Sequence, residues 1–294
     1  MKKPLRVFAL LLILLSCAYA LLCTVRQPSN NRDWAPDQAV LPVVTMSGNL
    51  VTVRHVRNFD WLTRTIARPA YYNAIYDLRQ LKRAWYVIEP FGTREGIAHT
   101  FLSFEFDGNR FVSVSVEARK EKDEEYTVHG GVLRSYELMY VIGDERDVIR
   151  VRSNIRKDEV YLYPVTVPEE TVRELFLSMM RRAKDLAARP EFYNTITNNC
   201  TTNIAAHINA IMPGTIAWWD TRVLFPAYSD ELAYDLGLID TSAPLEEIRE
   251  KYKINARAER YADDPQFSTR IRAVERVQDP VPPGRGSSTP SLHE

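Results

Sequence analysis

Residues 97–118 read Ile97-Ala98-His99-Thr100-Phe101-Leu102-Ser103-Phe104-Glu105-Phe106, then Asp107-Gly108-Asn109, then Arg110-Phe111-Val112-Ser113-Val114-Ser115-Val116-Glu117-Ala118. Both runs alternate with the period of two expected of a half-buried strand. Leu102, Phe104 and Phe106 share one face of the first; Val112, Val114 and Val116 share one face of the second. The opposite faces carry His99, Phe101, Ser103 and Glu105, and Ser113, Ser115 and Glu117. A slip of one residue would turn one apolar set outward, so the faces fix the register. The glycine-bearing three-residue loop agrees with it. Phe106 then opposes Arg110, and His99 opposes Glu117. Cβ atoms of directly opposed residues stand about 5 Å apart. Glu117 is therefore expected to orient the imidazole and to stabilise its charged form.

Further elements extend outward from this hairpin. Residues 60–86 are rich in aromatic and basic side chains, and Tyr72, Ile75, Tyr76, Leu78 and Leu81 have helical spacing. Residues 132–141, 148–151 and 160–167 read as strands. Pro168-Glu169-Glu170 opens a helix to about Ala188, with acidic residues in its first turn. Another helix begins near Cys200 and runs to Ile211, and 229–236 and 244–260 also look helical. Strands followed by helices give an α+β class, an antiparallel sheet packed with helices. The chain divides into an export segment at 1–26, a polar tether at 27–50, a catalytic domain at 51–262 and an extension at 263–294. From about 278 that extension is rich in Pro and Gly and reads as disordered.

Lys2, Lys3 and Arg6 precede an apolar run from Val7 to Cys23, and Arg26 follows it. A basic start and an apolar run make an export signal. It reads first as an uncleaved anchor, with the rest of the chain outside the cytoplasm. A cleaved signal at Ala18-Tyr19-Ala20 and lipidation at Cys17 are alternatives; Leu14 is too bulky for a good lipidation site. Lys+Arg and Asp+Glu both number 38, so no global basic field for nucleic acid exists. Scattered histidines give no zinc spacing, and Gly130-Gly131 alone makes no phosphate loop. No metal and no cofactor is called for. Asp144-Glu145-Arg146-Asp147 reads as a solvated turn.

Two of the three cysteines lie in the apolar run, leaving Cys200 alone in the folded part. A leftover cysteine in an exported chain suggests a free reactive thiol or an intermolecular bridge; a buried inert cysteine is the plainer alternative. Asn and Thr around it are N-cap residues, so Cys200 falls at a helix start. Such a site favours thiolate, and the same amides can hold an oxyanion. Among His55, His99, His129, His207 and His293, His99 is the expected base by position and by its Glu117 partner. His207 sits about 10.5 Å farther along the same helix. Cys200, His99 and Glu117 form a nucleophile–base–orienter set. Asn199, Thr201 and Arg119 are substrate-binding candidates, Arg119 for an anionic group.

Seven strings in order resemble the DUF4105 family: Ile97-Ala98-His99-Thr100, Ser103-Phe104, Ser115-Val116-Glu117-Ala118-Arg119, Tyr136-Glu137-Leu138, Asp144-Glu145-Arg146-Asp147, Phe192-Tyr193-Asn194-Thr195 and Asn199-Cys200-Thr201-Thr202-Asn203. Its members include the periplasmic domain of Lnb-type lipoprotein N-acyltransferases, and the likeness spans roughly 55–260. The resemblance implies a permuted papain-like fold of the NlpC/P60 kind, with acyl transfer from phospholipid to a lipoprotein amino terminus through acylated Cys200. It also implies inner-membrane anchoring with the catalytic domain in the periplasm. Only one apolar span is present, where some such enzymes have further membrane helices. A phospholipid acyl hydrolase using the same thiol, a cysteine peptidase or amidase acting on cell-wall peptide, and a non-enzymatic envelope binding module are competing expectations.

Overall fold

A computed structural model describes residues 2–91 and 96–274. In chain order its strands are β1 (Val43–Ser47), β2 (Leu50–Arg57), β3 (Asp60–Trp61), β4 (Ala67–Arg68), β5 (Tyr71–Asp77), β6 (Leu81–Pro90), β7 (Ala98–Phe106), β8 (Arg110–Arg119), β9 (Glu137–Gly143) and β10 (Tyr161–Pro164). The helices are α1 (Lys2–Val25), α2 (Val128–Val132), α3 (Glu145–Arg150), α4 (Glu169–Ala188), α5 (Cys200–Ile211), α6 (Thr221–Leu224), α7 (Ser229–Asp235), α8 (Leu245–Tyr252), α9 (Asn255–Arg260) and α10 (Phe267–Arg270). The main sheet runs β1-β2-β9-β8-β7-β6-β10, with β5 also on β2; β3 and β4 pair separately. It is antiparallel apart from the β2–β9 contact. The expected α+β class is observed.

The β7–β8 hairpin has the register its alternation demands, from Phe101–Ser115 to Phe106–Arg110. Leu102, Phe104, Val112, Val114 and Val116 bury against Val172, Leu175, Phe176, Met179 and Met180 of α4 and Ile204 of α5. Phe176 meets Phe104 and Phe106 edge-on at 5.0 and 5.5 Å, an arrangement that adds to simple area burial. On the opposite face Trp85, Val87, Phe101 and Met139 pack against α3, α9 and α10 through Val148, Ile149, Ala258 and Phe267. A central sheet is thus covered by helices on both sides.

Four expectations are corrected. Residues 71–77 and 81–90 are strands rather than a helix, because their aromatic and β-branched side chains pair with β2 and β7. The stretch 148–151 is helical: Asp144 caps α3 by accepting from the Arg146 amide at 2.9 Å. A π-helical turn, Val151–Arg156, continues it. The Asp144–Asp147 cluster is no solvated turn. Asp147 is fully buried and accepts from Arg57 at 2.7 Å, the Phe59 amide at 2.9 Å and the Trp61 indole at 2.7 Å. Residues 27–50 do not form a free tether: Trp34 and Gln38 are buried and β1 extends the sheet. The start of the expected C-terminal extension also packs, with Phe267 and Ile271 fully buried; the stretch from about 278 lies outside the described residues.

Candidate active site

The site is assembled at one end of the hairpin. The ladder ends at Phe101–Ser115, so His99 and Glu117 lie past its last pair. There a cleft of about 550 Å³ opens, lined by His99, Glu117, Cys200, Asn199, Tyr193 and Glu89 among others. Strand alternation puts His99 on the face of Phe101, whereas Cys200 belongs to the core of the opposite face with Leu102 and Val116. The cleft therefore wraps around the strand ends to bring thiol and imidazole to one space.

Local sequence holds the thiol at the helix start. Asn199 is the N-cap of α5: its side chain accepts from the Thr202 amide at 2.8 Å, and the Thr202 hydroxyl accepts from the Asn199 amide at 2.8 Å. This reciprocal capping box satisfies two donors. Asn194 turns the preceding loop by accepting from the amides of Ile196 and Thr197 at 2.9 and 3.0 Å. The Cys200 and Thr201 amides open the helix, where no intrahelical acceptor exists. Cys200 Sγ lies 3.8 Å from Thr201 Oγ1 and has no hydrogen bond to His99 among the described residues.

His99 has a more elaborate setting than an opposed pair. Its Nε2 stands 2.7 Å from Ser115 Oγ and 3.6 Å from Glu117 Oε1. Ser115 donates its single proton to Glu117 at 2.8 Å, so it accepts from His99 Nε2–H. That assignment leaves Nδ1 as the basic nitrogen. Burial pushes the His99 pKa well below its ordinary value, Arg152 and Arg156 add to this, and Glu117 opposes it. The imidazole is thus neutral: burial outweighs the stabilisation of its charged form expected from Glu117. Burial works against the Glu117 charge, but His99, Arg152 and Arg57 outweigh it and hold the carboxyl below the usual carboxylate range.

Arg152 comes from the π-helical turn. It donates to Glu89 at 2.7 Å and Glu117 at 2.9 Å, and its guanidinium lies 4.9 Å from the Phe101 ring centre. Glu89 pairs in register with His99. Its pKa is pushed up to about 7 by burial, with Arg152 and Arg156 opposing. Among the described residues its Oε1 has no hydrogen-bond partner, and Arg156 Nη1 stands 4.0 Å from it. Tyr193 is another cleft residue; burial first, then the nearby Cys200, raise its hydroxyl pKa and keep it a donor.

Of the sequence-based candidates, Cys200, His99, Glu117 and Asn199 share the cleft, although the Asn199 side chain is spent on the cap. Two candidates fall elsewhere. Thr201 is buried, bonded to Thr100 at 2.9 Å, and faces a separate apolar pocket with Leu102, Ile204 and Leu232. Arg119 is buried under the N-terminal segment. It donates to Gln38 O at 2.9 Å, Asn30 Oδ1 at 3.1 Å and Ala39 O at 2.8 Å, and stacks 4.0 Å over Trp34. It is a clamp for residues 30–39, buried beneath them and outside the cleft lining. His207 is buried between Tyr140 at 2.8 Å and Ser178 at 2.7 Å, tying α5 to β9 and α4.

Ser115, Arg152, Glu89 and Tyr193 were missed as site residues. Ser115 was legible in principle, since it shares a face with Glu117 and sits diagonal to His99. Arg152 was not, because its stretch reads as a strand. Gly131 packs rather than binding phosphate: a Cβ there would come 2.2 Å from Thr195 Oγ1.

No curated protein and no solved structure matches this chain. One family description, Lnb N-terminal periplasmic domain, matches residues 67–227. That match contains the whole hairpin, the thiol and the π-helical turn, and covers more than half of the 294 residues. The chain belongs to the Lnb N-terminal periplasmic domain family.

Proposed function

We propose that this chain is a membrane-proximal thiol acyltransferase that moves an acyl chain from a phospholipid to the amino terminus of a lipoprotein. Its inner-membrane anchor would be α1, leaving the catalytic body in the periplasm. The observation that carries this reading is the meeting, in one cleft, of a helix-start thiol and a neutral histidine backed by the Ser115–Glu117 relay. The permuted papain-like arrangement is part of the proposal: the histidine strand β7 precedes the cysteine helix α5.

In the first half-reaction the Cys200 proton passes to His99 Nδ1. The thiolate attacks the phospholipid ester carbonyl, forming S–C. As C–O breaks, the lysophospholipid oxygen takes the proton from His99. The Cys200 and Thr201 amides and the Tyr193 hydroxyl are donors for the developing oxyanion. In the second half-reaction a lipoprotein amine attacks the thioester and gives a proton to His99. C–N forms, C–S breaks, and the thiolate recovers the proton. Cys200 and His99 have no direct hydrogen bond, and catalytic pairs often gain theirs only when a complex tightens them.

Lys120, Glu89 and Arg156 also line the cleft, a polar setting that suits cleavage of a wall peptide by the same thiol. Intact-mass measurement after incubation with phospholipid separates the two. Acyl transfer requires an acyl mass on Cys200 that disappears in Cys200→Ala. Peptide cleavage without that adduct would favour the amidase.

A further inference from the structure

Helix α1 is the one described segment long and apolar enough to cross a membrane, over Pro4–Val25, and none of that stretch is buried against the body. Its 22 residues extend about 33 Å, against a hydrocarbon thickness of about 30 Å. Its C-terminal end would therefore stand at a membrane surface.

Among the described residues that end is fastened to the turn after α2. Tyr19 donates to Val132 O at 3.5 Å, and Arg26 donates to Leu133 O at 3.3 Å and Arg134 O at 3.0 Å. Arg134 returns a bond to Cys23 O at 3.2 Å. Tyr19 lies about 9 Å of helix before Val25, so the turn that follows α2 sits level with the last turns of the span. Arg26 and Arg134 are then placed among headgroups, where basic side chains are favoured.

Helix α2, which leads into that turn, forms part of the cleft wall through Val128. Thr195 Oγ1 donates to Val128 O at 2.9 Å, joining α2 to the loop before Cys200. Val128 and Ile196 both line the cleft, yet both are exposed, Ile196 to 51%. Leu224 and Phe225 line it too, with Phe225 51% exposed. The segment leading to them carries Trp218 and Trp219, exposed to 87% and 69%. The remaining three tryptophans, Trp34, Trp61 and Trp85, are buried. Apolar exposure gathered at a rim marks an interaction surface, and tryptophan is favoured at the lipid–water boundary.

We propose that the mouth of the cleft rests on the bilayer that holds α1, with Leu133, Val128, Ile196, Leu224 and Phe225 dipping into the headgroup–acyl boundary. The partner of this surface is lipid. The inference rests on α1 being the anchor put forward above. It gives the proposed donor a path into the cleft without leaving the membrane.

The test uses the full chain in phosphatidylcholine vesicles, with Cys17, Cys23 and Cys200 all replaced by Ser. A single environment-sensitive fluorophore is attached through Leu133→Cys, Ile196→Cys, Phe225→Cys or Asp107→Cys. Asp107 is a half-exposed turn residue at the far end of β7 from His99. Blue-shifted emission at the first three sites, quenched by nitroxide-bearing lipid, with water-like emission at Asp107, is the expected result. Water-like emission at Ile196 and Phe225 overturns the proposal, even if Leu133 is immersed. A blue shift that lipid-borne nitroxide does not quench also overturns it, since a protein then covers the rim. Failure of the chain to float with the vesicles removes the anchor and the proposal together. All variants lack the thiol, so the result is independent of whether Cys200 carries an acyl group.

Discussion

Nε2 of His99 and Oε1 of Glu117 are 3.6 Å apart, and the Ser115 hydroxyl is bonded to both, at 2.7 and 2.8 Å. The carboxylate orients the imidazole through a hydroxyl rather than directly. That fixes the tautomer and leaves Nδ1 as the base. Removing the base is expected to slow acyl-adduct formation on Cys200 by about 10²–10⁴-fold in His99→Ala. Ser115→Ala should cost less but in the same direction. Single-turnover mass spectrometry reads both, and an unchanged rate in His99→Ala would remove histidine from the mechanism.

Arg152 is the shared counter-ion of the buried Glu89 and the partly buried Glu117. Taking one partner from such a group leaves uncompensated buried charge, at a cost of about 3–5 kcal/mol. Arg152→Met should therefore lower urea-unfolding stability by that order. Adding Glu89→Gln should restore part of the loss. A stable Arg152→Met single variant would show that the network is not needed for folding.

The pH dependence has two opposing parts. The His99 pKa is depressed in the fold from 6.5, so its contribution is present above that pH and is lost as pH falls below it. The Glu89 pKa is raised from 4.5 to about 7. Its contribution is present below 4.5 and is lost as pH rises through about 7. His99→Gln should flatten the acid-side loss of stability, and Glu89→Gln the loss between mildly acidic and neutral pH. Denaturant unfolding at a series of pH values checks each slope, and parallel profiles for variants and parent would refute the assignments.

Arg119 holds the N-terminal segment and makes no contact in the cleft. Arg119→Met should release residues 27–50 to limited proteolysis and lower the melting temperature. Acyl transfer measured well below that temperature should fall far less than in His99→Ala. A selective loss of phospholipid binding, with the segment still protected, would return Arg119 to a substrate role.

Gly131→Ala probes the rim itself. Its Cβ would collide with Thr195 Oγ1 at 2.2 Å and approach Tyr193 at 3.2 Å, so the Thr195 hydroxyl must swing away and give up its bond to Val128 O, which joins α2 to the loop before Cys200. Faster alkylation of Cys200 by a small reagent is the expected sign; an unaltered rate would mean that this contact does not limit access.

Much of this arrangement is local and was legible in the chain. Alternation set the β7–β8 register because one wrong step would bury polar groups. The Asn199 and Thr202 capping chemistry placed Cys200 at the start of α5 without reference to distant residues. What lay beyond the sequence depends on partners far along the chain. Tyr72 and Tyr76 fit a helical or a strand spacing, and only pairing with β2 and packing on Phe106 settled it. Arg119 looked like a free cation until residues 30–39 folded over it. Arg152 reaches Glu89 and Glu117 through a π-helical turn that no spacing announces. The sequence by itself determined the thiol, the histidine and the strand that carries it, because helix caps and strand pleats are set by near neighbours. Only the tertiary structure decided which groups surround them, because burial and charge pairing are settled by whatever packs across the sheet.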